Sequence, residues 1–183
     1  MSTIFLKTPR LILRQWKESD HEPYTEMNAD KDVMEFFPSV MLPDDSRRQA
    51  QRIAEAIDKK GYGFFAVERK DNHQFIGFTG LSNPGFEVAE FTPGVEIGWR
   101  LSKANWAMGF ATEAAKACLT FAFDQLKLDE IFSFTSVHNQ RSEHVMQKIG
   151  MDKMGFFDHP LIADGHALKK HVWYKISGAS PGI

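Results

Sequence analysis

The segment WAMGFATEAAKACLTFAF, residues 106–123, is the feature that most constrains how this chain of 183 residues can fold. Gly109 stands directly before a long alanine-rich run in which small and apolar residues recur at intervals of three and four, as on one face of a helix. This stripe consists of Ala111, Ala114, Ala115, Cys118, Leu119, Ala122 and Leu126. No Ser, Asp or Asn stands where a side chain would cap the first turn. The sequence therefore predicts a long helix whose first N–H groups lack an internal partner.

An uncapped helix start of this kind predicts an anion site. Free N–H groups and the positive end of the helix dipole together favour a negative ligand. Gly109 allows the backbone of the loop Asn105–Phe110 to approach that ligand closely, and Ala111 keeps the next position small. The loop has neither the Gly-Lys-Ser/Thr of a Walker motif nor the three glycines of a dinucleotide fingerprint. The alternative is an ordinary tight connection between a strand and a helix.

Composition and charge narrow the class of protein. The chain is 43% hydrophobic, which suffices for one well-buried core, so we expect a single domain over 1–176 and a loose tail over 177–183 (SGASPGI). Lys and Arg number 22 against 24 Asp and Glu, without a basic stripe, so nucleic acid is not an expected partner. No apolar run has the length of a membrane span and no secretion signal is evident, so we expect a cytoplasmic protein. Cys118 is the single cysteine, which excludes an internal disulfide.

Hydrophobic periodicity predicts alternating strands and helices. The predicted strands are Leu11–Gln15, Phe64–Arg69, Gln74–Leu81, Val95–Leu101, Ile131–Val137, Met151–Phe157 and Lys170–Ile176. The predicted helices begin near Glu18, at Asp44, after Gly109 and at Ser142, the second ending at Gly61 and the last at Ile149. Short connections among the second, third and fourth strands indicate an antiparallel meander, and the later helices indicate crossovers. The expected class is α+β.

Three spaced motifs stand in order in the second half of the chain. They are Glu96-Ile97-Gly98-Trp99-Arg100-Leu101, Trp106-x-x-Gly109-Phe110-Ala111-Thr112-Glu113-Ala114 and Asn139-x-x-Ser142-x-x-Val145-x-x-Lys148-x-Gly150-Met151. Together they resemble the GNAT acetyltransferases. The segments Thr8-Pro9-Arg10-Leu11-x-Leu13-Arg14 and Asp32-Val33-Met34 are similar to the branch that contains the ribosomal-protein N-terminal acetyltransferases.

This resemblance implies a mixed, mostly antiparallel twisted sheet of about seven strands, flanked by helices and splayed into a V beside the strand that ends at Leu101. Acetyl-CoA would be the co-substrate, its pantetheine arm pairing with backbone in the splay and its pyrophosphate lying on the glycine loop. The implied coenzyme residues are Trp99, Arg100, Leu101, Trp106, Ala107, Met108, Gly109, Phe110, Ala111 and Thr112. Asn139 would fix the coenzyme arm or the strand end, and Lys148 with Arg141 would meet the outer phosphate, unless these cations are solvated helix charges.

Two positions depart from the family pattern. Ala107 and Met108 stand where the family commonly has Gly and a basic residue, which weakens the charge attraction to the phosphates. Backbone N–H donors are present whatever the side chain at these positions. We therefore expect the loop to bind the coenzyme, with a weaker electrostatic contribution. Many relatives use a tyrosine shortly after the helix that begins here at Ser142 to protonate the leaving sulfur; in that region this chain has Phe156 and Phe157 and no tyrosine.

Acetyl transfer to an amine requires a group that removes a proton and a group that protonates the leaving thiolate. Glu96 is the predicted base, the alternative being a structural hydrogen bond or an ion pair. Ser142 can offer a hydroxyl to the sulfur, as its counterpart does in this branch, the alternative being a helix cap. At pH 7 deprotonation of an α-amine costs only about 1 to 1.4 kcal/mol, whereas deprotonation of a lysine side chain costs about 4.6 kcal/mol. A weak base therefore suffices for an N-terminal acceptor.

The sequence does not distinguish a protein N-terminus from a small amine as the acceptor. It also does not distinguish a monomer from a homodimer. Glu87 and Glu90 could attract a cationic acceptor, and Phe36 and Phe37 could wall the acceptor side, although solvation and packing explain them equally. The segment Phe157–His166 has two histidines and two aspartates without a converging period, so no metal site is predicted. The alternative function is an acyl-CoA-binding sensor with weak or no catalysis.

Overall fold

The computed structural model describes residues 3–178, and within that range the chain forms eight strands and four α-helices. The strands are β1 (Ile4–Lys7), β2 (Leu11–Arg14), β3 (Phe64–Arg69), β4 (Phe75–Ser82), β5 (Glu96–Leu101), β6 (Glu130–Ser136), β7 (Asp152–Asp158) and β8 (Lys170–Ser177). The helices are α1 (His21–Ala29), α2 (Pro43–Lys60), α3 (Phe110–Asp124) and α4 (Gln140–Lys148).

The eight described strands form one sheet in the order β1-β2-β3-β4-β5-β6-β8-β7. All neighbours are antiparallel except β5 and β6, which are parallel, so the α+β class and the predicted meander of β3, β4 and β5 are confirmed. Strand β1 was not predicted, because its four residues lie half-exposed at the sheet edge and carry no clear alternation. Strand β8 includes Ser177, the first residue of the predicted tail. The rest of the predicted tail after Gly178 lies outside the described residues.

The sheet splays where β5 meets β6. Within residues 3–178 these strands share the single register pair Glu96↔Phe132, and Phe132 N–H donates to the Val95 carbonyl at 3.1 Å. A hydrogen bond of 2.8 Å from Ser133 Oγ to the Ile97 carbonyl adds a second link. Farther along β5, at Trp99–Leu101, main-chain pairing continues on the β4 side alone. This is the V-shaped opening that the family resemblance implied.

Helix α3 packs on one face of the sheet, and α1 and α2 cover the other. Its predicted stripe is buried, with Ala114, Ala115 and Cys118 fully inaccessible, so the small side chains let the helix axis approach the strands. Side chains that alternate along β3 contact both layers: Phe65 meets Phe121 of α3 edge-on, and Phe64 contacts Phe78 on the opposite face. None of the helices formed by residues 3–178 is both long and apolar enough to cross a bilayer.

Helix α2 shows how local sequence sets an element's ends. Pro43 occupies the first turn, where its missing N–H costs nothing, and Asp44 and Asp45 lie at the positive end of the dipole. Gly61 ends the helix with a left-handed φ of 74°, and its N–H donates to the Ile57 carbonyl at 2.8 Å. The helix predicted from Asp44 to Gly61 is thus present, and it positions the side chains of its inner face over β3 and β4.

Candidate active site

The loop before α3 has the geometry that its sequence predicted. Gly109 is the N-cap residue with φ of 79°, and no side chain caps the helix. Ala107 also has a left-handed φ, 59°, which is unusual for a residue with a Cβ. The first helical bond in this region runs from Glu113 N–H to the Gly109 carbonyl at 3.0 Å. Among the described residues nothing accepts a hydrogen bond from the backbone N–H groups of 107–112. This segment, 106–112, is called the glycine loop below.

Side chains from outside the glycine loop hold it in place. Trp106 donates from Nε1 to the Leu101 carbonyl at 2.8 Å, which ties the start of the loop to the end of β5. Arg10, in the turn between β1 and β2, donates from Nη1 to the Met108 carbonyl at 2.9 Å. The Arg141 guanidinium lies 4.5 Å from the Trp106 ring centroid. The loop is therefore fixed through its carbonyls and its indole, and its N–H groups stay available.

A cleft of about 1020 Å³ lies between the splayed strands, the glycine loop and helices α2 and α4; it is called the main cleft below. With one exception, every residue to which the sequence assigned a catalytic or coenzyme role lines it. The exception is Met108, whose side chain is 48% exposed and which contributes its backbone to the loop. The motifs of the sequence thus converge on one concave surface, although they lie on β5, the glycine loop and α4.

Glu96 lies at the narrow end of the splay, on the first residue of β5. Its carboxylate has no ion-pair partner among the described residues, and burial raises its pKa to about 7. A carboxyl group whose pKa lies near neutrality can take up and release a proton at physiological pH, as a general base requires. The structural alternative for Glu96, a lysine ion pair, does not occur within residues 3–178.

Ser142 and Asn139 divide their roles differently from the sequence prediction. Asn139 is the N-cap of α4, and its Oδ1 accepts from Ser142 N–H at 3.2 Å. Its Nδ2 donates to Thr135 Oγ1 at 2.9 Å and to Ser142 Oγ at 3.1 Å. The capping alternative considered for Ser142 is therefore wrong, because the asparagine side chain occupies that position. The Ser142 hydroxyl accepts one hydrogen bond, no described residue accepts its proton, and Ser142 lines the main cleft.

The cations at the coenzyme end of the main cleft differ in their surroundings. Arg141 forms an ion pair of 2.7 Å with Glu35 in addition to its stacking on Trp106. Lys148, in the last turn of α4, has no ion-pair partner among the described residues and lines the cleft. Of the two candidates for an outer phosphate, Lys148 is the one whose charge is uncompensated.

One side chain in the main cleft was missed by the sequence reasoning. Arg100 was expected to act through its backbone alone, yet its guanidinium lines the cleft on the same face of β5 as Glu96. The signal was present in the two-residue spacing of Glu96, Gly98 and Arg100, which places all three on one face of a strand.

The other acidic and histidine-containing segments lie away from the main cleft. Glu87 and Glu90 line a separate hollow of about 510 Å³ beside Phe156 and Lys170. His159 packs 4.5 Å from the Phe86 ring centroid, and burial, with smaller effects from His171 and Lys169, lowers its pKa to about 4. Residues 3–178 contain no group of three or more potential metal ligands. Phe36 and Phe37, in contrast, do line the main cleft.

Comparison with known proteins agrees with this geometry. The acetyltransferase (GNAT) domain model matches residues 10–152. An uncharacterized N-acetyltransferase of Bacillus subtilis, YnaD, is 30% identical over 156 residues, which cover 83% of this chain and 85% of that protein. The crystal structure of a GNAT-family acetyltransferase from Bacillus anthracis superposes with a TM-score of 0.78 at 28% identity, covering 97% of this chain and 99% of that one.

A more distant structure shows the same fold. The spermidine N-acetyltransferase of Vibrio cholerae, solved with CoA and spermine, superposes with a TM-score of 0.71 over 92% of this chain and 95% of that one. Its identity is 19%, so this likeness extends to the fold alone. The domain match over most of the chain, together with the Bacillus relatives, shows that the chain belongs to the GNAT acetyltransferase family and is an enzyme of the N-acetyltransferase kind.

Proposed function

We propose that the protein is an acetyl-CoA-dependent N-acetyltransferase that passes acetyl directly to a primary amine in a ternary complex. The observation that carries this proposal is the row of free N–H groups at 107–112, at the positive end of α3 and open to the same cleft as Glu96. Backbone N–H groups at a helix start suit a diphosphate, because they donate to its oxygens while the dipole favours its charge.

The rest of the main cleft fits the remaining parts of acetyl-CoA. Along Trp99–Leu101 the β6 side of β5 is open, so main-chain groups there can bind the amide groups of an extended pantetheine arm. Asn139 lies where it can fix that arm, and Lys148 offers a charge to the outer phosphate. The thioester supplies the acetyl group, and the protein supplies the positions and the proton transfers.

The proton transfers fall to two side chains. An amine attacks a thioester only when it is neutral, so Glu96 removes its proton, directly or through a water. With a pKa of about 7, Glu96 is largely ionised just above neutral pH and can act on an α-amine or on another amine of similar basicity. Ser142, whose hydroxyl proton is free to donate, hydrogen-bonds the sulfur as it leaves.

Direct transfer is favoured over an acyl-enzyme. The thiol of Cys118 is fully inaccessible inside α3, and burial raises its pKa well above the usual range, so it is neither ionised nor reachable. Ser142, the hydroxyl considered for catalysis, has no base among its hydrogen-bond partners that could activate it as a nucleophile.

An acceptor screen tests the proposal. The protein is incubated with acetyl-CoA and a panel of N-terminal peptides and small primary amines, and thiol release is followed together with mass-spectrometric detection of one added acetyl group. The proposal expects turnover with at least one class. Tight coenzyme binding without turnover for any acceptor would instead favour the sensor function. Acetylation of peptide N-termini would support the ribosomal-protein branch, and acetylation of small amines alone would exclude it.

A further inference from the structure

The face of β5 that carries Glu96 also carries an arginine with unusual surroundings. Glu96, Gly98 and Arg100 alternate along the strand, and Phe78 of β4 lies opposite Arg100. Gly98 leaves the strand bare between the two charged side chains, and the Phe64 ring closes that space, since a Cβ at Gly98 would lie 3.1 Å from Phe64 Cε1. Along the strand, the backbone positions of Glu96 and Arg100 are thus about 13 Å apart.

Arg100 lacks the carboxylate that a guanidinium in a protein interior ordinarily has. Its Nη1 donates to Asn28 Oδ1 at 2.8 Å, and its Cζ lies 4.2 Å from the Phe37 ring centroid. Its Nε is inaccessible and without a hydrogen-bond partner, and no carboxylate in residues 3–178 lies within ion-pair distance. Burial lowers the pKa of Arg100, yet a guanidinium stays charged at neutral pH.

Another buried arginine of the same chain shows the contrast. Arg14 is held at 2.6 Å by both Asp20 and Glu68, so its charge is fully compensated. A charge removed from water without a partner is costly, and such groups are paired or bind a charged ligand. The pairing of Arg14 is structural, whereas Arg100, which lines the main cleft, has no carboxylate partner among the described residues.

Basic side chains outnumber carboxylates in the lining of the main cleft. Arg52 and Lys60 of α2 line it together with Arg100, and Arg52 and Arg100 both act electrostatically on the hydroxyl of Tyr24. Glu96 is the one carboxylate among the described residues that line the cleft, and near neutral pH it is partly protonated. A concave surface with this balance attracts anions and repels polycations.

We propose that the acceptor is a primary amine that also carries a carboxylate, with the carboxylate bound by Arg100 and Arg52 and the amine presented to Glu96. This inference rests on the proposed function, and it names the substrate class of the same site. It separates this protein from acetyltransferases of polyamines, whose acceptors carry several positive charges.

The test uses matched pairs of acceptors of increasing length, namely β-alanine, longer ω-amino acids and short peptides beside their carboxamides, with spermidine as a polycation. For at least one pair kcat/KM for the carboxylate should exceed that for its carboxamide tenfold or more. Arg100→Gln should remove this preference, so that each carboxylate and its carboxamide react with similar kcat/KM, while Arg100→Lys retains part of it. Arg47→Gln, on the exposed face of α2, is the matched control and should behave as the unmodified protein.

Calorimetry of the same pairs with the CoA-loaded protein separates the two proposals. Carboxylate binding that depends on Arg100 without turnover would leave the anion site standing and overturn the transferase function. Equal or weaker binding of every carboxylate relative to its carboxamide would overturn the anion site, whatever the turnover. The inference also fails if Arg100→Gln weakens CoA itself and lowers both members of each pair equally, since Arg100 would then serve the coenzyme.

Discussion

Arg10 joins the glycine loop to the first turn of α3 through the Glu113 carboxylate. Its Nε lies 2.6 Å from Glu113 Oε2, its Nη1 donates to the Met108 carbonyl, and its backbone N–H donates to Glu113 Oε1 at 2.9 Å. Thr8 Oγ1 adds a bond of 2.6 Å to the same carboxylate. The two residues are 103 positions apart in sequence, so the β1–β2 turn fixes a loop that it does not adjoin.

Breaking this link should loosen the glycine loop without removing any of its N–H donors. We expect Glu113→Gln and Arg10→Gln each to weaken CoA binding by about 1 kcal/mol, roughly fivefold, because the loop must be ordered when the ligand binds. Calorimetry with CoA measures the effect, and Lys116→Gln, on the exposed side of α3, is the control. Unchanged affinity in both variants would show that the loop keeps its shape without the arginine.

Met108→Arg should restore the charge that relatives place in the loop. We expect CoA to bind roughly two- to fivefold more tightly at low ionic strength, an effect of about 0.3 to 1 kcal/mol that added salt removes. In the free protein the same charge opposes the dipole of α3, so the free energy of unfolding should fall slightly. Acetyl-pantetheine, which lacks the diphosphate, is the control ligand. An equal gain for both ligands would assign the effect to something other than phosphate attraction.

Ionisation of Glu96 should determine how kcat/KM falls on the acid side of the pH profile. Because burial raises the pKa to about 7, the ionised base predominates only above that pH, and kcat/KM should rise as pH increases through 7 and then level off. Glu96→Gln should abolish this pH dependence and lower kcat/KM by on the order of 100-fold. An unaltered pH profile in Glu96→Gln would remove this residue from the proton transfer.

The same pKa has a consequence for stability, with a defined sign. The native state holds the Glu96 proton more tightly than the unfolded chain does. Ionisation of Glu96 therefore destabilises the native state progressively as pH rises from the ordinary pKa of 4.5 to about 7. Glu96→Gln should therefore raise the free energy of unfolding at pH 8 by up to about 3 kcal/mol and leave it nearly unchanged at pH 4. Denaturant titration at both pH values measures the difference. A gain of equal size at both would point to packing rather than charge.

Substitutions of Ser142 and Asn139 should have different effects, the first on kcat and the second on stability. Ser142→Ala should lower kcat by on the order of 100-fold with little change in stability, because Asn139 provides the cap. Asn139→Ala should cost about 1 kcal/mol of stability through loss of that cap, and Asn139→Asp should restore it. Kinetics and thermal unfolding of the three variants test the assignment. A normal kcat in Ser142→Ala would show that Ser142 does not donate to the leaving thiolate.

The parts of the site that the sequence predicted well depend on local chemistry. The glycine loop could be read directly, because a missing cap and a glycine before an apolar stripe have one common structural result. The role of Glu96 came from a motif, and its orientation could not be derived, since a shift of one residue along a strand turns a side chain to the opposite face. The structure places it toward the main cleft.

The parts that were missed depend on contacts between distant segments. Arg100 is distinctive because no carboxylate from α1, α2 or β4 reaches it, and sequence spacing carries no information about partners that are absent. Strand β1 is short, and its pairing with β2 rather than its own pattern defines it. Asn139, and not Ser142, caps α4, because the turn geometry after β6 decides which side-chain oxygen faces the free N–H groups.

The single register pair between β5 and β6 makes the sheet discontinuous at its centre, so the protein has a strand edge in its interior as well as two at its borders. Such an edge has hydrogen-bonding capacity on one side that no neighbouring strand uses. A linear molecule with amide groups can complete the ladder there and join the two halves. β5 and β6 are otherwise linked by the main-chain bond of Phe132 and by the Ser133 hydroxyl, so an occupant of that gap would act as a ninth, non-covalent strand.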